Sequence, residues 1–119
     1  MRDYRNLKVW QKAHELTLAV YVITKPFPKE ETYGLTGQIR RAAASIPTNI
    51  AEGAGRTSDA ELNRFLEIAA GSASEVEYLL LLVRDLGYIN SIQHKEYATS
   101  VAEIKKMIRS LSQKLKSNG

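Results

Sequence analysis

The sequence predicts an all-α fold, an up-down-up-down antiparallel four-helix bundle with a proline-kinked second helix, built as a single domain over residues 1–119. Three observations predict it. Apolar residues recur at steps of three and four in four long segments, the spacing of one helical face. Short punctuated stretches separate those segments, and helices joined by short connections pack as antiparallel neighbours. No period-two strand pattern and no internal repeat occurs.

The first helix, about residues 7–24, carries Val9, Ala13, Leu16, Val20 and Ile23 on one face. Lys25-Pro26-Phe27-Pro28 ends it, because proline lacks the backbone N–H and restricts the residue before it. The second, about 30–53, places Glu30 and Glu31 at its positive N-terminal end and Leu35, Ile39, Ala42, Ile46 and Ile50 on its seam. Inside it, Pro47 removes the hydrogen bond to the carbonyl of Ala43 and is expected to kink or split the helix. The third, about 58–86, opens on a capping box of Ser58 and Glu61 and closes at Gly87. Its seam is Leu62, Phe65, Ala69, Ser72, Val76, Leu79, Val83 and Leu86. Residues Tyr78 to Val83 are apolar around nearly the whole circumference, which leaves surface for another subunit. The last helix, about 91–116, uses Tyr97, Val101, Ile104, Ile108, Leu111 and Leu115.

Composition narrows the classes of function. With 119 residues the chain holds one ordinary domain, and 44% hydrophobic with 25% charged residues describes a globular chain. The absence of cysteine excludes disulfides, thiolate nucleophiles and thiolate metal sites. The apolar run Leu16 to Ile23 is too short to span a bilayer, so the expectation is a soluble, cytoplasmic protein without membrane contact. A di-iron bundle would need Glu-x-x-His pairs, and none occurs. His14 and His94 lie toward opposite ends, away from the polar stripe, so no base is expected for Ser45 or Ser72. The reading is of a protein that is not an enzyme, with no catalytic residue, no metal and no cofactor.

A polar stripe runs beside the seam of the second helix: Gln38, Arg41, Ser45, Thr48 and Glu52, with Asn49 at its edge. Polar groups so close to the core need partners to offset lost hydration. Ser72 and Glu75 on the third helix are the candidates, with Gly71 and Ala73 allowing close approach. The expected network pairs Arg41 with Glu75 or Glu52 and sets Asn49 and Ser45 against backbone groups freed by Pro47. The same stripe is alternatively a ligand or partner site.

QIRRAAASIPTNIAEGAGR, IAAGSASEVE, LKVWQKAHEL and FPKEETYGL together resemble the four-helix-bundle family associated with intervening sequences in 23S ribosomal RNA genes, over about residues 7–89. The resemblance implies a ring-shaped homopentamer whose biochemical role is largely unassigned. The related accessory variability determinants of diversity-generating retroelements are basic and bind nucleic acid and reverse transcriptase, which implies an RNA or DNA partner here. Gln38, Arg41, Ser45, Pro47, Asn49, Glu52, Gly53, Gly71, Ser72 and Glu75 match the family pattern most closely.

Seventeen Lys and Arg against thirteen Asp and Glu leave a net charge of +4, and bundle topology decides where it falls. The start of the first helix, the turn between the second and third, and the end of the fourth share one pole. Arg2, Arg5, Lys8, Lys12, Arg56, Arg109, Lys114 and Lys116 project there, opposed mainly by Asp3 and Asp59. In a cyclic oligomer such poles face the same way and form one multivalent surface for phosphate. Two functions of different class follow: a nucleic-acid-binding accessory protein, or a protein–protein interaction scaffold with no nucleic-acid role. In the second, the lysines of the last helix simply complement its dipole and keep the end soluble.

Overall fold

A computed structural model describes residues 2–118, all but the side chain of Asn118. Met1 and Gly119, which the expected domain includes, lie outside the described residues. Four helices run α1 (Lys8–Thr24), α2 (Leu35–Ala54), α3 (Asp59–Asp85) and α4 (Ser91–Asn118), with short 3-10 turns at Tyr4–Asn6 and Lys29–Glu31. Each helix packs on its chain neighbours, and α1 closes the square against α4. The bundle measures 46 × 23 × 20 Å.

The predicted seams of α1 and α2 are buried at every position. On α3 the buried stripe is wider, adding Leu66, Ala73 and Leu80, while Leu86 at the helix end is exposed. On α4, Val101, Ile104, Ile108 and Leu115 are buried, and Tyr97 and Leu111 pack against them half-covered. Fully buried Ile39, Ile46, Ile50, Leu62, Leu66, Leu79, Leu80 and Ile104 form the centre. Each such side chain stabilises the fold by about 1.5–3 kcal/mol relative to an exposed one.

Helix ends follow from local chemistry. At α3 the Ser58 hydroxyl accepts from the Glu61 N–H at 3.1 Å. The C-terminus is closed by Gly87 at φ 81°, where the Tyr88 N–H donates to the Val83 carbonyl and the Gly87 N–H to the Arg84 carbonyl, both at 2.9 Å. Only glycine takes that left-handed φ at low cost. Before α4, Asn90 and Gln93 exchange side chain to backbone bonds in a reciprocal box: Oδ1 of Asn90 accepts at 2.8 Å and Oε1 of Gln93 at 2.9 Å.

The second helix starts later than the sequence reading has it, at Leu35 instead of about residue 30. The chain turns through Thr32, Tyr33 and Gly34, and one carboxylate oxygen of Glu31 accepts from the Leu35 N–H at 3.3 Å. Its other oxygen accepts from the Tyr88 hydroxyl at 2.9 Å, so Glu31 ties the start of α2 to the α3–α4 corner. That bond, which prefers the neutral phenol beside a carboxylate, pushes the Tyr88 hydroxyl pKa up. Phe27 is buried beside the Tyr88 ring at 5.2 Å.

Nor does Pro47 split α2, which is helical without interruption from Leu35 to Ala54. Its backbone nitrogen cannot serve the Ala43 carbonyl. That oxygen accepts instead from the buried Thr17 hydroxyl of α1 at 3.1 Å, a proton Thr17 shares with its own Ala13 carbonyl at 2.9 Å. The expected partners of the freed carbonyl, Asn49 and Ser45, bond elsewhere.

Candidate functional site

The polar stripe of α2 meets α3 at two places. Ser45 and Ser72 share a hydrogen bond between their hydroxyls at 2.8 Å, and Asn49 Nδ2 donates to the Ser45 carbonyl at 2.8 Å and its hydroxyl at 3.0 Å. Closer to the start of α2, Gln38 Nε2 donates to Glu75 at 3.4 Å. The expected ion pair of Arg41 is not formed. Among the described residues Arg41 bridges to neither Glu75 nor Glu52; it is exposed, with its guanidinium lying back over Gly37. Gln38 reaches Glu75 in its place. The two serines are half-buried and bonded to each other, and Ser45 also accepts from the Asn49 amide; among the described residues neither has a histidine or carboxylate partner that would activate it.

Glu52 faces the other way, into a hollow of about 440 Å³ between α1 and α2 that also holds Trp10, His14, Pro47 and Thr48. His14 is therefore closer to the edge of the stripe than its position in the chain suggests. Its ring stacks on Trp10 at 5.0 Å and 8°, and Tyr4 meets Trp10 edge-on at 4.8 Å. The i, i+4 spacing of Trp10 and His14 is the sequence signal for this stack.

At one end of the bundle the chain brings together three segments distant in sequence. The Arg2 N–H donates to the Ala54 carbonyl at 2.9 Å, and its guanidinium pairs with Asp59 at 2.8 Å. Lys116 shares a hollow with Asp59 and Asn63, and Ser112 donates to Asn63. Thus the start of the chain, the α2–α3 turn and the last turns of α4 meet at one pole.

The eight cations assigned to this pole divide into two groups. Arg2 is held by Asp59, and Arg5 grips Asp3 through two bonds of 3.0 and 3.1 Å. Hydrogen bonds from Arg5 hold the Asp3 carboxyl below its ordinary pKa, and raise that of Arg5 in return. Lys12 pairs with Glu103 of α4 at 2.5 Å, and that bond raises its pKa. Lys8, Arg56, Arg109, Lys114 and Lys116 form no ion pair among the described residues; Arg56 lies over the Phe65 ring at 4.9 Å. The structure adds Lys106, which lines a groove with Lys8 and Lys114, and Lys105, itself paired with Glu77 at 3.5 Å, which joins Arg109, Lys116 and Glu67 on the other flank of α4. The step of four from Lys106 to Ser110 to Lys114 is the sequence signal for the first flank.

Among the described residues no group of three or more acidic or histidine side chains is placed to hold a metal ion, and no helix is long and apolar enough to cross a membrane.

Residues 5–110 match the family described as 23S rRNA-intervening sequence protein. The fold is similar to the crystal structure of a protein with unknown function from the S23 ribosomal protein family of Bacteroides thetaiotaomicron, at 29% identity and a TM-score of 0.81. The match covers 88% of this chain and 95% of that one. No curated protein matches the chain.

Proposed function

The chain belongs to the 23S rRNA-intervening sequence protein family, and from that premise and its charge geometry we propose a non-enzymatic, homo-oligomeric bundle that binds the phosphate backbone of RNA or DNA through one basic pole. The observation that supports it is that Lys8 shares a groove with Lys114 and Arg109 shares one with Lys116 on the two flanks of α4, with Arg56 in the α2–α3 turn and no acid paired to any of the five among the described residues. A dipole complement at one helix end explains the α4 cations alone; it does not account for Lys8 of α1 beside Lys114. With no cysteine in its sequence, the protein suits a reducing compartment such as the cytoplasm, where such partners lie.

The test is fluorescence anisotropy with a structured RNA and a duplex DNA across a salt series. Binding should weaken steeply with salt. Arg109→Glu with Lys116→Glu should lower affinity by about tenfold or more and flatten the duplex slope by roughly 0.9 for each phosphate no longer neutralised. Absence of binding at low salt would overturn the reading in favour of the protein scaffold.

Assembly draws on a separate observation. Leu18 and Val22 stand 54% and 61% exposed on the outer face of α1, and Tyr78 is 59% exposed on the outer face of α3. These helices occupy opposite corners of the square. Two different patches on opposite sides suit a head-to-tail contact that closes into a ring, five copies being the number the family resemblance implies. Gly71, two turns before Tyr78 on α3, has open space around it, so nothing within the chain requires a glycine there. In an isolated chain Gly71→Ala should raise stability by about 1 kcal/mol, since alanine favours a helix interior. In the ring it should weaken assembly, because a neighbouring backbone approaches at that point. Urea denaturation checks the first expectation and light scattering across a dilution series the second, and an unchanged mass for Gly71→Leu would remove this contact.

A further inference from the structure

We infer that the groove between the start of α1 and the last turns of α4 is a docking site for an acidic amphipathic helix of a partner protein. The α1–α4 seam is the least closely packed of the four, and it opens into a groove of about 470 Å³. Leu7, Val9, Met107 and Leu111 form an aliphatic floor. Lys8, Lys106 and Lys114 stand along it with Ser110, and no acidic residue lines it. At the inner end the Lys12–Glu103 pair bridges the two helices, one turn beyond Lys8 and one turn before Met107.

The lining selects the occupant. From Lys106 to Lys114 the groove follows α4 for about 12 Å, two helical turns at 1.5 Å per residue. A helix laid along it can seat apolar side chains spaced by three and four on the floor, while carboxylates on its flanks reach the lysines. Met107 adds an unbranched side chain that adapts to irregular shapes. The floor has no aromatic ring on which a nucleobase would stack, which separates this groove from a single-strand RNA site despite its charge. Lys8 and Lys114 are shared with the basic pole, but Arg109 and Lys116 lie on the other flank of α4 outside the groove, so reversing those two tests phosphate binding with the groove lining intact.

The probe is a fluorescein-labelled, stapled helical peptide with leucines spaced by four and three on one face and glutamates on its flanks. Two control peptides carry alanine for leucine or lysine for glutamate, and an RNA hairpin serves as competitor. Ser110→Trp fills the groove from an exposed position, and Lys106→Glu reverses its rim without touching the core. Helix content and oligomer mass are recorded for each variant. The acidic peptide should bind, with affinity falling about tenfold for the alanine peptide and for Ser110→Trp, and unchanged in Arg109→Glu with Lys116→Glu. Lys106→Glu should weaken the acidic peptide and strengthen the lysine peptide. Equal binding of the leucine and alanine peptides would overturn the proposal, since charge alone would then suffice. A Ser110→Trp variant that loses the RNA hairpin but keeps the peptide would make the groove a nucleic-acid surface. A change in its oligomer mass would assign the groove to a second copy of the chain; either result overturns docking by a partner helix.

Discussion

Gly53→Ala is expected to lower stability by about 1–3 kcal/mol, the cost of overpacking a close helix contact. Gly53 is buried in the last turn of α2, where a Cβ would lie 2.8 Å from the Phe65 Cβ, 2.9 Å from Leu62 Cδ1 and 3.3 Å from the Leu62 carbonyl. The Leu62 methyl can rotate away, but the Phe65 Cβ moves only with the α3 backbone. Alanine gains about 1 kcal/mol over glycine in helix propensity, which offsets part of this cost without removing it. Urea denaturation at a fixed protein concentration measures the change as a lower midpoint with an unchanged slope. The same substitution at Gly71 should act in the opposite direction on the isolated chain, so each glycine controls for the other. A stability gain at Gly53 would mean that α2 and α3 do not approach as closely as described.

Thr17→Val should cost about 1–3 kcal/mol, because it leaves the buried Ala43 carbonyl without a donor while keeping the side-chain shape. The effect depends on Pro47. Alanine at 47 restores an N–H that can reach the Ala43 carbonyl along the helix, so Thr17→Val should cost much less in a Pro47→Ala background. A double-mutant cycle by thermal or urea denaturation should then give a coupling of about 1 kcal/mol or more. Additive losses would show that the threonine contributes by packing and its bond to Ala13, with no service to the proline.

These two sites mark how far the sequence can be read. The seams of α1 and α2, the Ser58 cap and the Gly87 stop are legible because each depends on residues within a few positions of one another. The convergence of distant segments on one pole follows from short connections and helix count. The service of Thr17 to Ala43 is not legible: it joins residues 26 positions apart, and many donors on α1 and α3 are equally compatible with a proline on α2. For the same reason the sequence points Glu75 toward Arg41, the stronger charge, whereas its observed partner is Gln38. The late start of α2 is a local miss of another kind. Glu31 reads as a good first-turn residue, but its carboxylate bonds at once to Leu35 and to Tyr88, and the second of these partners lies 57 residues away. In the candidate interface, the sequence identifies the cations but not which are already bound, since Asp3, Asp59 and Glu103 neutralise three of the eight.

The square arrangement has a kinetic consequence. Three of its seams join helices consecutive in the chain, so they close short loops at small entropic cost, which favours fast folding. The fourth, between α1 and α4, needs the two ends of the chain to meet and offers the thinnest packing in return. A hairpin of α2 and α3 is thus the natural nucleus, and the α1–α4 closure is a late event whose loss exposes little of the core. The same seam is the one that opens most readily in the folded protein, by a partial opening that leaves the other three seams closed.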